Sequence, residues 1–314
     1  LRITTKRDTA MRNVITIGEM VLDTLYRDDQ PVEAFVGGRI PNAAMSLARM
    51  GHPTWVVSEC CTDHVGDFLV SQLEKAGVHT ECIDRFTDGA TALSAIFEQA
   101  DGKVHRINYF DYRETDTRFN VVWPRINPDD IVLIGSLYCV DTPQRQRVLA
   151  LIKHAQEMGA VIINLPGFQH GVRVMMAKLM PALIENMEMS SLVIAKDQDA
   201  ALLFPDDPAS RMFADHVQFY CPSMLQVSDD FSQIQAFAAG ESSTIAVASQ
   251  NPNSLAWQAG FAAGVVHEII HRGISQKHME AITVEDLRHI ASGAIDVARK
   301  CAAAPDHLFP TEYK

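Results

Sequence analysis

Polar groups with complementary hydrogen-bonding chemistry stand close together near the amino end of the chain. Asp23 follows an apolar run, Gly37 and Gly38 form a turn, and Asn42 stands at the predicted start of a helix. Glycine lets backbone N–H groups approach a ligand because it has no Cβ. A carboxylate accepts hydrogen bonds, whereas an amide both donates and accepts them. The stretch therefore predicts a pocket for one polar ligand, or else an ordinary strand–turn–helix segment in which Asn42 caps the helix.

The composition predicts a large α/β domain. The chain has 314 residues, of which 47% are hydrophobic, enough for a sizeable core. Its net charge of −12 argues against nucleic acid or an anionic membrane as a partner. No apolar run has membrane-spanning length and no signal-peptide pattern is present, so we expect a cytoplasmic protein. Residues 1–12 are expected to form an N-terminal tail.

The cysteines show no CxxC or other zinc-binding spacing, and two of them are adjacent after a strand-like run. We therefore expect buried thiols in a reducing compartment rather than a metal site or disulfides. The six are Cys60, Cys61, Cys82, Cys139, Cys221 and Cys301.

Strand-like and helix-like segments alternate along most of the chain. Repeated strand–helix units predict a doubly wound, mostly parallel sheet with helices on both faces. The predicted strands are 13–18, 54–58, 130–135, 161–165 and 192–195, with further candidates at 216–220 and 244–248. The predicted helices are 43–50, 65–76, 143–158, 174–187, 197–203, 254–271 and 283–303.

Two segments have the alternation typical of antiparallel pairs. Residues 92–98 and 104–110 flank Asp101-Gly102, a strong hairpin-turn signal. Residues 22–26 and 33–36 flank a polar turn in the same way. These strands form either a separate small sheet or plain edge hairpins.

The amino-terminal pattern, Gly18-Glu19-x-x-x-Asp23 followed by Gly37-Gly38-x-x-x-Asn42, resembles the signature of the ribokinase (PfkB) family of carbohydrate kinases, in particular its fructokinase-like branch. The resemblance runs over about residues 14–311. It implies a ribokinase-like α/β domain over residues 13–314, with a small β-sheet lid from about 22–37 and 91–112. It also implies a sugar substrate, ATP, Mg²⁺ and a homodimer formed through the lid.

The resemblance assigns a set of residues to the sugar. Asp23 matches the carboxylate that takes two sugar hydroxyls, and neighbouring positions line the same pocket. Asp141 and Arg113 match positions that face substrate in some relatives. The alternative is that Asp141 is a turn former and Arg113 is a surface charge. The expected substrate-binding residues are Asp23, Gly37, Gly38, Arg39, Asn42, Arg113 and Asp141.

The phosphoryl-transfer motif departs from the family. The family places Gly-Ala-Gly-Asp before a long helix, where the glycine N–H groups stabilise the moving phosphoryl group and the Asp accepts the sugar proton. Here Pro252-Asn253-Ser254-Leu255 precedes the similar Ala256-Trp257-Gln258-Ala259-Gly260-Phe261. Leu255 cannot accept a proton, and Ser254 is a much weaker base than a carboxylate. Asn253 and Ser254 either bind an anion or cap the helix.

The nucleotide and metal motifs differ as well. The family's Asp-Pro-Asn-x-Arg reads Asn164-Leu165-Pro166-Gly167-Phe168, and its Asn-x-x-Glu reads Lys196-x-x-Asp199. Asp199 remains a candidate for a hydrated Mg²⁺, while Lys196 replaces the metal's charge or binds an anion. The Thr-x-Gly-x-x-Gly nucleotide loop is expected near 221–228 but is not reproduced.

The sugar-binding pattern matches the family, whereas the phosphoryl-transfer and nucleotide motifs do not. Two functions are consistent with this difference. The first is a sugar-binding protein that has lost phosphoryl transfer, because an absent base alone typically costs about 10²–10⁴ in rate. The second is an active ATP-dependent sugar kinase with non-standard catalytic residues. A third hypothesis, an unrelated doubly wound nucleotide-binding enzyme, is disfavoured because no Gly-x-Gly-x-x-Gly follows the first strand.

Overall fold

Two β-sheets organise the chain in a computed structural model that describes residues 11–98, 104–109, 122–135, 137–140, 145–167, 176–248 and 254–311. Their strands in chain order are β1 (Val14–Ile17), β2 (Val21–Arg27), β3 (Gln30–Gly37), β4 (Thr54–Cys61), β5 (Ile83–Phe86), β6 (Leu93–Glu98), β7 (Val104–Tyr109), β8 (Ile131–Gly135), β9 (Val161–Leu165), β10 (Leu192–Lys196), β11 (Ser223–Val227), β12 (Gln233–Ala238) and β13 (Glu241–Ala246).

The larger sheet has the strand order β13-β12-β11-β10-β9-β8-β1-β4-β5. All neighbouring pairs from β5 to β11 are parallel, and the last two pairings, β11 with β12 and β12 with β13, are antiparallel. The expectation of a doubly wound, mostly parallel sheet is confirmed. Its carboxyl-terminal edge is where open α/β sheets bind ligands.

Helices cover both faces of this sheet. They are α1 (Arg39–Arg49), α2 (His64–Lys75), α3 (Arg145–Glu157), α4 (Met176–Glu188), α5 (Asp197–Leu203), α6 (Ser254–His271), α7 (Gln276–Met279) and α8 (Val284–Ala303). Successive residues of a strand face opposite sides. In β8, Ile131 and Leu133 therefore pack in the core with α1, α6 and α8, while Val132 and Ile134 pack in the core with α3. Because both faces are covered, the strand is continuously apolar.

The smaller sheet has the order β3-β2-β6-β7. β2 pairs antiparallel with β3 and parallel with β6, and β6 pairs antiparallel with β7. The two predicted antiparallel pairs thus belong to one separate sheet, as the resemblance implied. The predicted Asp101-Gly102 turn lies outside the described residues.

Helix α6 packs closely on α8 through small residues. A Cβ at Gly264 would lie 2.6 Å from the Ala294 Cα, so only glycine permits this approach. Thr283 caps α8 in a capping box, with the Asp286 N–H donating to the Thr283 hydroxyl and the Asp286 carboxylate accepting from the Thr283 N–H. The middle of α6 therefore packs directly on the backbone of α8.

One strand expected in the carboxyl half is wrong. Residues 216–220 do not form a strand, because Phe213–Val217 is a π-helical turn whose Phe213 and Val217 are buried in the core. In the region 221–228, where the sequence does not reproduce the family's nucleotide-loop motif, Ser223–Val227 forms the buried strand β11. The turn that follows it spans residues 228–232.

The other predicted elements agree with the structure to within a few residues, and α5, α6 and β9 agree at both ends. The sequence patterns did not predict β5, β11, β12 or α7. All six cysteines are free and buried, as expected. Within the described ranges, no helix is both long and apolar enough to cross a membrane.

We predict that Gly264→Ala lowers the free energy of unfolding by about 1–3 kcal/mol, since the new methyl group forces α6 and α8 apart. The matched control is Gly293→Ala in α8, because the three atoms nearest to its Cβ all belong to the Glu268 side chain, which can move, rather than to backbone. Urea denaturation of both variants checks this. A Gly264→Ala variant as stable as the control contradicts the close packing.

Candidate functional site

Asp23 lies on the inner face of the smaller sheet, opposite Ser94 of β6. Its side chain is 2% exposed and forms a two-pronged ion pair with Arg106 of β7, with Nη1–Oδ1 at 2.7 Å and Nη2–Oδ2 at 3.1 Å. The same Arg106 Nη1 donates to the Ser94 hydroxyl at 3.0 Å. Cross-strand neighbours on one face of a sheet are close enough for such contacts. The carboxylate thus has a cationic partner from within the chain.

Burial and the neighbouring Arg106 shift the pKa of Asp23 in opposite directions. Burial raises the pKa of the Asp23 carboxyl, and the charge and hydrogen bonds of Arg106 oppose that rise. The bidentate geometry is the strongest form of carboxylate pairing. A ligand that hydrogen bonds to Asp23 must therefore share the carboxylate with Arg106 or displace it.

The two glycines allow the chain to pass close to this carboxylate. A Cβ at Gly37 would lie 2.3 Å from the Asp23 Cγ, and a Cβ at Gly38 would lie 2.7 Å from the Glu19 carbonyl oxygen. Gly38 also has a φ of 98°, which favours glycine. Gly38 is the residue that precedes α1.

Asn42 is in the first turns of α1 and is not its N-cap, since the helix begins at Arg39. Its side-chain Nδ2 donates to the Val36 and Gly38 carbonyl oxygens, both at 2.8 Å. These bonds hold the glycine turn in place. The capping expectation is wrong because the helix starts at Arg39, four residues earlier than the predicted start at residue 43.

A cavity of about 260 Å³ lies between the smaller sheet, α1, α2, the start of α6 and the segment 306–308. We call it the α1 cavity. Its volume suits a small molecule. Four of the expected substrate residues line it: Asp23, Gly38, Arg39 and Asn42. Arg113 and Asp141 lie outside the described residues.

Leu255, in the first turn of α6, lines the α1 cavity and is 37% exposed. The position that matches the family's base therefore faces the same space as Asp23. The helix begins at Ser254, and Pro252 and Asn253 lie outside the described residues.

Arg39 crosses from α1 to the carboxyl-terminal edge of the larger sheet. Its Nη1 lies 3.2 Å from the Gln258 Oε1 of α6 and 3.6 Å from the Asp199 Oδ2 of α5. Its guanidinium lies against Gly167, where a Cβ would be only 1.5 Å from Nη2. Arg39 therefore borders the α1 cavity and also contacts the first turns of α5 and α6.

Lys196 and Asp199 begin α5. The Lys196 N–H donates to the Asp199 Oδ2 at 2.9 Å, so one carboxylate oxygen is already used. The Lys196 ammonium lies 3.5 Å from the Asp229 Oδ1 and 4.9 Å from the centre of the Phe231 ring. Within the described ranges, no group of three potential metal ligands converges.

Sequence reasoning missed Arg106 as a site residue. The signal available was the strand alternation of β7, in which Arg106 lies opposite Ile96 and so shares a face with Asp23. Alternation alone does not say which charged residue of a strand turns inward, because both faces of this hairpin carry polar residues.

We predict that Arg106→Gln lowers the free energy of unfolding near neutral pH by about 3–5 kcal/mol, because it leaves the Asp23 carboxylate buried without a cation. Removing the opposing charge also raises the pKa of Asp23 further above its ordinary value of 3.8. The folded state then holds a proton that the unfolded state releases, so the variant loses stability as pH rises above about 4.

Urea denaturation from pH 4 to pH 8 measures this effect. Arg299→Gln, at an exposed arginine of α8, is the control. A pH-independent difference between Arg106→Gln and the unaltered protein would contradict the pairing.

Comparisons with known proteins agree with this architecture. The model of the pfkB family carbohydrate kinases matches residues 11–205. An uncharacterized sugar kinase of Pyrococcus horikoshii is 22% identical over 202 residues, covering 60% of this chain and 63% of the relative. A 5-dehydro-2-deoxygluconokinase of Geobacillus kaustophilus is 23% identical over 166 residues, 48% of each chain. The sequence alignments thus span between about half and 63% of these relatives.

Solved structures match over nearly the whole chain. The P. horikoshii sugar kinase in complex with ATP has a TM-score of 0.76 at 18% identity and covers 95% of each chain. A fructokinase of Vibrio cholerae bound to fructose, ADP and calcium has a TM-score of 0.73 at 15% identity and covers 94% of this chain and 92% of that one. At such low identity the likeness shows the fold. The family model, which matches residues 11–205, shows that this chain belongs to the pfkB family of carbohydrate kinases.

Proposed function

We propose that this protein binds a sugar or sugar-like molecule in the α1 cavity and that its phosphoryl transfer is lost or much reduced. The observation that carries the proposal is Leu255, an apolar side chain lining the cavity in the position that matches the family's catalytic carboxylate. Transfer from ATP needs a group that accepts the sugar proton and donors that stabilise the phosphoryl group.

The other carboxylates of the cavity support the loss of the base. Among the described residues its lining includes three acids: Asp23, Glu33 and Asp306. Asp23 is paired with Arg106, and Asp306 is paired with Arg49 at 2.7 Å. Glu33 is exposed on β3 of the smaller sheet rather than at the start of α6.

The sugar side retains the groups that recognise hydroxyls. Asp23 offers carboxylate oxygens, Arg106 offers N–H donors beside them, and the glycine turn brings backbone close to both. Alternating acceptors and donors suit vicinal hydroxyls, each of which donates and accepts. We propose that Asp23, Gly37, Gly38 and Asn42 form this pocket.

The second candidate is an active ATP-dependent sugar kinase, fructokinase- or ribokinase-like, with non-standard catalytic residues. The observation in its favour is that similar structures were solved with ATP or with fructose and ADP. In this case the nucleotide lies near Lys196, Asp199, Asn253 and Ser254, with Mg²⁺ as its usual companion.

We predict that a neutral sugar from a panel of fructose, ribose and other hexoses raises the melting temperature of the protein, and that Mg-ATP with the same sugar releases no ADP. Asp23→Asn abolishes the thermal shift because it removes the anionic acceptor. Asp296→Asn, at an exposed acid of α8, retains it.

Thermal-shift and coupled ADP-release assays separate the two candidates. ADP release that depends on one sugar supports the active kinase and contradicts the proposal. A panel in which no sugar shifts the melting temperature contradicts the sugar pocket itself.

We further propose that the smaller sheet acts as a lid and joins two copies of the chain into a homodimer. Its outer face carries several apolar side chains: Tyr26 stacks on Phe97 with ring centres 4.8 Å apart. Leu93, Ile107 and Tyr109 on the same face are 39%, 37% and 59% exposed. Exposed apolar patches of this kind mark interaction surfaces.

We predict that Ile107→Lys converts a dimer to a monomer, because it places a charge in the centre of the buried face. Phe219→Lys leaves the dimer intact, because Phe219 is an exposed aromatic residue just after the π-helical turn and outside the smaller sheet. Analytical ultracentrifugation gives the masses. A monomeric unaltered protein at high concentration, or a dimer in Ile107→Lys, refutes this interface.

A further inference from the structure

The α1 cavity continues along α1 beyond the proposed sugar pocket. Asn42, Met45 and Arg49 line it, and their spacing of three and four residues places them on one side of the helix. Arg49 lies seven residues beyond Asn42, which is roughly 10 Å along the helix axis. This length exceeds the width of one sugar ring. The cavity therefore has room for more than the unit that Asp23 would bind.

Helix α2 forms a second wall with the same kind of spacing. Phe68, Gln72 and Lys75 line the cavity from one face of this helix. The Phe68 side chain is 38% exposed, so part of its ring is open to the cavity. Within the described ranges, neither the Gln72 amide nor the Lys75 ammonium forms a side-chain hydrogen bond or an ion pair. Both groups are therefore available to a ligand.

A segment near the carboxyl end of the chain forms the third wall. Asp306, His307 and Leu308 line the cavity, and Leu308 is buried in the core. Arg49 holds the segment through the Asp306 Oδ2 at 2.7 Å and the Phe309 carbonyl oxygen at 3.2 Å. His307 has a φ of 60°, and such a conformation of a non-glycine residue persists only where the surroundings fix it. This wall is thus held in one position.

We call the part of the cavity between Gln72, Lys75 and residues 306–308 the distal end. Its charge does not favour a phosphate group, because Arg49 is already paired with Asp306 and only the Lys75 ammonium is left without a counter-charge among the described residues. An apolar group would displace water from the Gln72 amide and the Lys75 ammonium without replacing its hydrogen bonds.

A hydroxylated ring fits the distal end better than either of these groups. Hydroxyl groups donate and accept hydrogen bonds, so they pair with both an amide and an ammonium. The apolar C–H face of such a ring can lie on the exposed part of Phe68, as in ligand sites that combine aromatic side chains with a few polar groups. Met45, which is 3% exposed, gives the cavity an apolar wall between its two polar ends.

We infer that the distal end is a second sugar subsite, so that the ligand of this protein is a disaccharide or a similar glycoside of two rings. The inference deepens the proposed function and rests on it for the first ring, which lies at Asp23. The second ring lies at the distal end, where Gln72 and Lys75 bind its hydroxyl groups. The link between the rings passes Met45.

Calorimetric titration of the full chain with sucrose, maltose and cellobiose, and with their constituents fructose and glucose, tests this subsite. We expect one of the disaccharides to bind at least 10-fold more tightly than its constituents. Gln72→Ala and Lys75→Ala each weaken its binding by about 3- to 10-fold, as expected for one lost hydrogen bond, and affect the monosaccharides less. Lys277→Gln, at an exposed lysine of α7, changes neither affinity.

Gln72→Trp tests the same subsite by filling it. The indole takes the space of the second ring, so the disaccharide loses its advantage and binds no more tightly than a monosaccharide. A thermal melt followed by circular dichroism checks that the variant folds. If it does not fold, Lys75→Trp, at an exposed position of α2, takes its place.

A disaccharide that binds no more tightly than its constituents, or that keeps its advantage in Gln72→Trp, overturns the inference and leaves the proposed sugar pocket in place. If disaccharide binding depends on Gln72 but not on Asp23, the second subsite stands and the proposed sugar pocket fails. If none of the five sugars binds, both the pocket and the subsite fail.

Discussion

Ile40 anchors the first turn of α1 to the larger sheet, and the geometry of the site depends on that contact. The side chain is 2% exposed and packs where Cβ atoms at Gly18 and Gly135 would lie 2.7 and 3.0 Å away. Two strand ends without side chains thus receive one isoleucine, which sets the position and rotation of the helix. The residue before it, Arg39, then points to the sheet edge, and Asn42 holds the glycine turn.

The cleft contains buried charges that are balanced locally rather than by solvent. Arg106 balances Asp23 and Arg39 faces Asp199. Removing a charge from water costs several kcal/mol unless it is paired, so each pair is stable only as a unit. A ligand entering the α1 cavity must offer hydrogen bonds at least as good as those it replaces, which favours polar, multidentate molecules over apolar ones of the same volume.

The family fold is preserved at 14–18% identity to solved structures because a parallel sheet needs buried apolar residues of suitable size rather than particular ones. A catalytic step, in contrast, requires a side chain with a particular functional group. A leucine packs against a helix start as well as an aspartate does, but it cannot accept a proton, so a fold does not by itself imply a given reaction. The proposed loss of phosphoryl transfer at Leu255 is an example of that difference.

Periodicity and turn chemistry are local properties, so they predicted the doubly wound sheet, the approximate positions of most helices and strands, and the stretch that carries Asp23 and the glycine turn. The pattern of residues 216–220 was misleading, because burial of Phe213 and Val217 favours a π-helical turn there. The contacts between side chains were not predictable in this way. Arg106 binds Asp23 across 83 positions and Arg39 reaches Gln258 across 219. Contacts between such distant residues follow from how the elements pack, which no local pattern encodes.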